Sequence, residues 1–241
     1  MVSCFCDFHW PHSNTHFKRV EVKKIMNRIK FALVVMPRYS ISIFIFLLLV
    51  AVLFYAGGTL HDPGSKGYSF TRNFFSDLGI LSSQNIVSVM LFGMALLVCG
   101  LTFMIYFFYF MKLFNQNTTN SKIGKIGSLF GILGAIFFII VGFTPHNYVH
   151  DSHVLSVHWA FRCFFLASSF LTFSIFRDSR FDSRYAYGYL IFAIIIFFYI
   201  IVLEFGPSPR ESDFALVFNV VSQKIIVFVF ILSVLLQSLG N

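Results

Sequence analysis

The sequence predicts an all-α polytopic membrane protein built as a six-transmembrane-helix bundle, and three observations carry that expectation. Of 241 residues, 57% are hydrophobic and only 12% are charged, where a soluble domain carries about 25% charged residues. Runs long enough to cross a hydrocarbon core of about 30 Å, roughly 20 helical residues each, recur along nearly the whole chain. These runs are apolar on every face, whereas transmembrane strands alternate apolar and polar over segments of about ten residues.

Taken in order, the expected spans are 40–60, 85–111, 126–143, 154–176, 188–204 and 214–236. They leave no room for a separate soluble domain, so the chain divides into a basic tail, 1–38, and a transmembrane domain, 39–241. The first apolar run begins near residue 40 and ends Tyr55-Ala56-Gly57-Gly58, far from the short basic start of a cleavable signal, and reads as a retained anchor. Met26 or Met36 would serve equally well as a start, since either leaves that span intact. In the tail, Phe17, Val20, Ile25, Ile29 and Leu33 recur at near-helical spacing among the cations. The segment either lies on an anionic leaflet or is a disordered, charge-bearing leader.

Charge sets the expected orientation. With the N-terminus inside, the inner segments hold thirteen Lys and Arg and the outer loops hold only Lys66, Arg72 and Arg210. That asymmetry places both termini in the cytoplasm and the protein in a cytoplasmic-type membrane. It also explains the net charge of +8 without a nucleic-acid partner. Membrane lipids are the expected partners. In the third span Gly124, Gly127, Gly131 and Gly134 share one side, a small-residue face that packs a neighbouring helix or a second copy of the chain.

Ionisable groups inside a membrane cost several kcal/mol, which makes them pointers to function. In the fourth span His158 and Arg162 are four apart on one face, and with the helix starting near Asp151 Arg162 lies about 15 Å deep at 1.5 Å per residue. Lys224 falls at a similar depth in the sixth span, behind Asn219, Ser222 and Gln223. Glu204 closes the fifth span and is a counter-ion for either cation. The first outer loop adds Ser76 and Asp77, the second His146, His150, Asp151 and His153. A ligand site on the outer side would therefore draw on Ser76, Asp77, His153, His158, Arg162, Glu204 and Lys224.

Cofactor chemistry is expected to be absent, with one alternative. His146, His150 and His153 have the ligand types and approximate spacing for zinc, although no HExxH motif is present and Pro145 and Asn147 begin the stretch as a loop. Cys4, Cys6, His9, His12 and His16 form a second, weaker ligand set. Ser76 beside Asp77 belongs to no spaced catalytic triad. The plainer reading of Ser76-Asp77-Leu78-Gly79 is a turn closed by side-chain bonds to local backbone. Four cysteines, two of them inside spans, give no disulfide framework.

The outer loop ending Phe74-Phe75-Ser76-Asp77-Leu78-Gly79, the glycine-rich third span running into Val141-Gly142-Phe143-Thr144-Pro145, and the histidines that follow carry a resemblance. Over about 38–239 the chain resembles the DRAM/Frag/Sfk-like group of six-helix membrane proteins, most closely its uncharacterised bacterial and archaeal branch. The resemblance implies a fold, a common outer-side site at Ser76, Asp77, Gly79, Pro145, His153 and His158, and an association with lipid organisation. It implies no catalytic residues. Binding of a lipid head group or small polar ligand is accordingly the leading expectation. A metal-dependent lipid hydrolase using His146, His150, His153 and Asp77, or a proton-coupled transporter titrating His158 and Glu204, stands as the alternative.

Overall fold

The computed structural model of the chain describes residues 16–239, and its architecture is helical throughout. Six helices are long and apolar enough to cross a membrane, and together they form a multi-pass bundle. The first begins well before the apolar run. α1 (His16–Lys30) passes through a π-helical turn, Phe31–Val35, directly into α2 (Met36–Leu53). Pro37 follows the π turn directly, in the first residues of α2. The remaining helices are α3 (Ile86–Met111), α4 (Thr119–Phe143), α5 (His150–Phe176), α6 (Ser183–Phe205) and α7 (Asp213–Ser238).

Each helix packs on the next in sequence, and α7 returns to α2 to close the ring. Short connections enforce this antiparallel order at the end where residues 112–118 and 177–182 lie. Thr118, Asp182 and Ser212 cap α4, α6 and α7 by accepting backbone N–H bonds, as short oxygen-bearing side chains do. The centre is aromatic. The ring of Phe230 on α7 lies 5.0 Å from Phe103, 5.4 Å from Phe164, 5.6 Å from Phe192 and 5.9 Å from Phe138, joining rings from five helices. Most of these pairs are edge-on or tilted, as the ring quadrupole favours.

The glycine face of α4 is buried against the chain's own α3 and α5. A Cβ at Gly131 would meet the Phe107 ring at 2.5 Å, and one at Gly134 would meet the Phe164 ring at 3.0 Å. Of the two uses expected for this stripe, packing of a neighbouring helix is the one these contacts make.

Several helices start earlier than their expected spans, α4 at Thr119 and α6 at Ser183 among them, and two further differences have particular physical reasons. The first span stops at Leu53 because Gly57 and Gly58 adopt φ of +124° and +83°, left-handed values that favour glycine. A Cβ on Gly57 would come within 2.1 Å of the Ser65 carbonyl. α5 begins at His150, four residues early, because the polar run His150-Asp151-Ser152-His153 continues the helix with Asp151 in its first turn, where the helix dipole favours an acid.

Candidate functional site

Polar side chains converge at the end of the bundle formed by residues 54–85, the 144–149 turn and the 206–212 connection. The first of these loops is long but not loose. Ala56 N–H donates to Asn85 Oδ1 at 2.8 Å and Asn85 Nδ2 donates to the Gly57 carbonyl at 3.0 Å, so the start of α3 holds the chain leaving α2. Farther on, Asn147 Nδ2 donates to the Leu81 carbonyl at 2.9 Å and its Oδ1 accepts from Leu81 N–H at 3.0 Å. This two-bond clasp joins the loop to the turn before α5.

The segment Phe75–Gly79 is a 3-10 helix. Asp77 is buried and accepts from the Phe74 N–H at 2.9 Å and from Asn73 Nδ2 at 3.3 Å, which is the local closure expected of this turn. Burial pushes its carboxyl up to about 7, against the opposing pull of those two donors and of Lys224. Lys224 reaches in from α7. Its ammonium donates to the Asn73 carbonyl and to the Tyr68 hydroxyl, both at 2.7 Å, and lies 4.0 Å from the Phe75 ring centroid. Asn73 therefore links Asp77 to Lys224, which make no direct ion pair. Beside it, Gln223 Oε1 accepts from Phe75 N–H at 2.7 Å. The last helix thus anchors the first loop.

Arg162 meets a protein carboxylate. Its Nη2 lies 2.5 Å from Glu204 Oε1, and His158 Nδ1 lies 3.0 Å from the same oxygen. Of the two proposed partners for Glu204, Arg162 has it and Lys224 does not. Glu204 is in the last turn of α6, so the long Arg162 side chain carries its charge toward the bundle end, well away from the depth of its own Cα. The guanidinium also stacks over Trp159 at 5.5 Å.

Between these two groups lies a cavity of about 450 Å³ whose wall includes five imidazoles, His61, His146, His150, His153 and His158. Ser76, Tyr199, Ser208, Gln223 and Arg210 complete its polar lining. His146 stacks on His150 at 4.7 Å and on His153 at 4.9 Å. His153 is buried and its Nδ1 donates to the Thr144 carbonyl at 2.7 Å, an assignment that follows because a carbonyl only accepts. Burial, reinforced by His153, His150, His61 and Arg210, holds His146 down to about 3, and burial followed by Arg210 lowers His61. Both imidazoles are neutral at ordinary pH. Nδ1 of each is buried and bonded to no protein group.

The expected site residues thus fall into three sets. His146, His150, His153, His158 and Ser76 line the cavity. Arg162 and Glu204 pair behind His158. Asp77 and Lys224 sit in the buried network under the first loop. Among the described residues no three His, Cys, Asp or Glu side chains are arranged to hold a metal ion; face-to-face stacking turns the imidazole edges of the 146–153 cluster away from a common point. Cys4, Cys6, His9 and His12 lie outside the described residues.

Arg210 is the cavity residue that sequence reasoning used only for orientation. Its signal was available: it is one of just three cations in the loops at this end of the bundle, in a short Pro-rich connection that must turn back over the site.

Six spanning helices with a polar, loop-closed cavity at one end define a multi-pass membrane protein. The chain belongs to the DUF998 family, a family of unknown function, whose model matches residues 48–235. No curated protein and no solved structure matches the chain.

Proposed function

We propose that this protein binds a phosphate-bearing lipid head group in the histidine cavity, at the outer face of a cytoplasmic-type membrane, with both termini in the cytoplasm. One observation carries the reading: Arg210 brings the cavity a cation that has no acidic partner within 4.0 Å among the described residues, beside His146 and His61, whose imidazoles burial keeps neutral. A guanidinium offers paired donors to phosphate. Neutral imidazoles each supply one donor and one acceptor, suited to hydroxyls of a head group. Arg162 and Lys224, expected among the ligand groups, are ion-paired or hydrogen-bonded within the protein, and they serve instead to fix α5, α6 and the first loop around the cavity. The volume of about 450 Å³ falls in the range of small-molecule sites. Kinship with the DRAM/Frag/Sfk-like group belongs to this proposal and is consistent with a lipid ligand.

The test is binding of dihexanoyl phosphatidylglycerol to the purified full-length protein, followed by calorimetry. Arg210→Gln is expected to weaken binding about 10-fold to 100-fold, the loss of charge-assisted hydrogen bonds worth about 1.5–3 kcal/mol. His146→Ala with His150→Ala is expected to weaken it further. Unchanged affinity in Arg210→Gln would overturn the reading.

A further inference from the structure

A second cavity, of about 780 Å³, lies at the opposite end of the bundle, in the crease between the amino-terminal helix and the last turns of α3. Its wall changes character along its length. Lys23, Lys24 and Arg28 line one part, while Phe31, Met36, Ile105 and Tyr109 line the other.

The helix geometry makes this a continuous stripe. Lys24, Arg28, Ala32 and Met36 follow each other at intervals of four, with Lys23, Asn27 and Phe31 beside them. In an α-helix of 3.6 residues per turn, such a row drifts around the axis by about 40° per step. The π-helical turn Phe31–Val35 is wider and takes up an extra residue, which returns Met36 to the same groove. Single π turns recur at functional positions for this kind of reason. The turn also separates roles, since Ala32, Leu33 and Val34 are buried in the bundle while Phe31 is 56% exposed.

The charges are free to act on a ligand. Lys23, Lys24 and Arg28 are exposed, and none has an acidic partner within 4.0 Å among the described side chains. Lys23, Lys24 and Arg28 precede the apolar run that begins at Phe31, so the cations stand at its end and the apolar wall lies inside it. Lys112 adds a fourth cation at the same level, 4.3 Å from the Phe108 ring and 5.1 Å from the Tyr109 ring. Tyr and Lys at such a level are typical of a membrane–water boundary.

The geometry points to a binding site for one anionic phospholipid, its phosphate held by Lys24, Arg28 and Lys23 and one acyl chain laid along Phe31, Met36 and Ile105. The match is in both charge and polarity: an occupant must be anionic at one end and apolar over the adjoining length. A diffuse attraction of the basic helix to an anionic leaflet would need the cations but not the groove, and that difference makes the site testable.

The experiment uses the full chain reconstituted in phosphatidylcholine vesicles, with spin-labelled phosphatidylglycerol as the probe and the motionally restricted fraction as the readout. Each exposed cation near the surface contributes roughly a fivefold preference, so the Lys23→Gln, Lys24→Gln, Arg28→Gln variant should lose a selectivity over phosphatidylcholine on the order of 100-fold. Ile105→Trp fills the groove at a residue that is 41% exposed and leaves every charge in place; it should lose the restricted fraction as well. Arg210→Gln, at the other end of the bundle, should change neither. Retained selectivity in the triple variant overturns the site, and full selectivity in Ile105→Trp reduces it to diffuse surface attraction. Loss in Arg210→Gln would assign the signal to the histidine cavity instead.

Discussion

Replacing Arg162 with Gln removes the guanidinium that neutralises Glu204 and leaves the carboxylate with His158 alone. Unit charges about 4 Å apart attract by about 4 kcal/mol at an effective dielectric of about 20. That gross figure must be discounted, because the Arg162 and Glu204 side chains are 39% and 29% exposed. Exposed pairs are worth about 0.2–1 kcal/mol and broken buried pairs cost about 3–5 kcal/mol. An intermediate pair that shares its carboxylate with an imidazole should contribute about 1–2 kcal/mol. Glu204→Gln should cost less, about 1 kcal/mol, since Arg162 keeps its stacking on Trp159. The double variant should be no worse than Arg162→Gln, giving a coupling of about 1 kcal/mol. Denaturant titration of the four proteins in a mild detergent measures all the corners of this cycle. Strict additivity, with coupling below about 0.3 kcal/mol, would refute the argument that this pair fixes α5 against α6.

Asp77, with its pKa raised from the ordinary 3.8 to about 7 by burial, makes folding stability fall as pH rises between about 4 and 7, because the folded state holds the proton longer than the unfolded one. His146, lowered to about 3, acts in the opposite sense, losing stability as pH falls below about 6.5. Comparing Asp77→Asn with the parent isolates the carboxyl: the variant should gain about 2–3 kcal/mol relative to the parent between pH 5 and pH 8, by parallel denaturant titrations. Gly131→Leu should drive a side chain into the Phe107 ring and cost about 1–3 kcal/mol, typical of overpacking, read as a drop in unfolding midpoint. Single cysteines at Lys66 and Tyr148 in a background freed of the native cysteines should react with an impermeant reagent outside cells, while one at Asn117 should not; the reverse pattern would invert the proposed orientation.

The spans were legible because hydropathy at bilayer length is a property of each segment alone, and the helices are where it puts them. Boundaries moved where local chemistry overrode it, at Gly57 and Gly58 and at the polar first turn of α5, and also where α4 and α6 extend through polar first turns, from Thr119 and Ser183, that hydropathy leaves out. The Arg162–Glu204 pair was half legible: two charges at membrane depth need partners, and few acids are available. The partners of Lys224 were not, because its ammonium bonds to the carbonyl of Asn73, 151 residues away, and backbone acceptors carry no residue signature. Tyr68 and Asn147 escaped for the same reason, since a tyrosine hydroxyl or an asparagine clasp is indistinguishable in sequence from ordinary loop polarity. The cavity itself is a product of three connections meeting, which no single segment encodes.

The anchoring of the first loop by the last helix has a consequence for how the protein is made. Phe75 bonds to Gln223 across 148 residues, and Arg72 pairs with Asp213 at 2.6 Å. During synthesis at about 5–20 residues per second, the loop therefore waits on the order of 7 to 30 s for the segment that secures it. Throughout that interval Asp77 and the polar backbone around it lie at the membrane surface without Lys224 or Gln223. A chain that stalls or is cut before α7 inserts exposes an unfinished 54–85 loop, which offers quality-control proteases a direct sign of incomplete assembly.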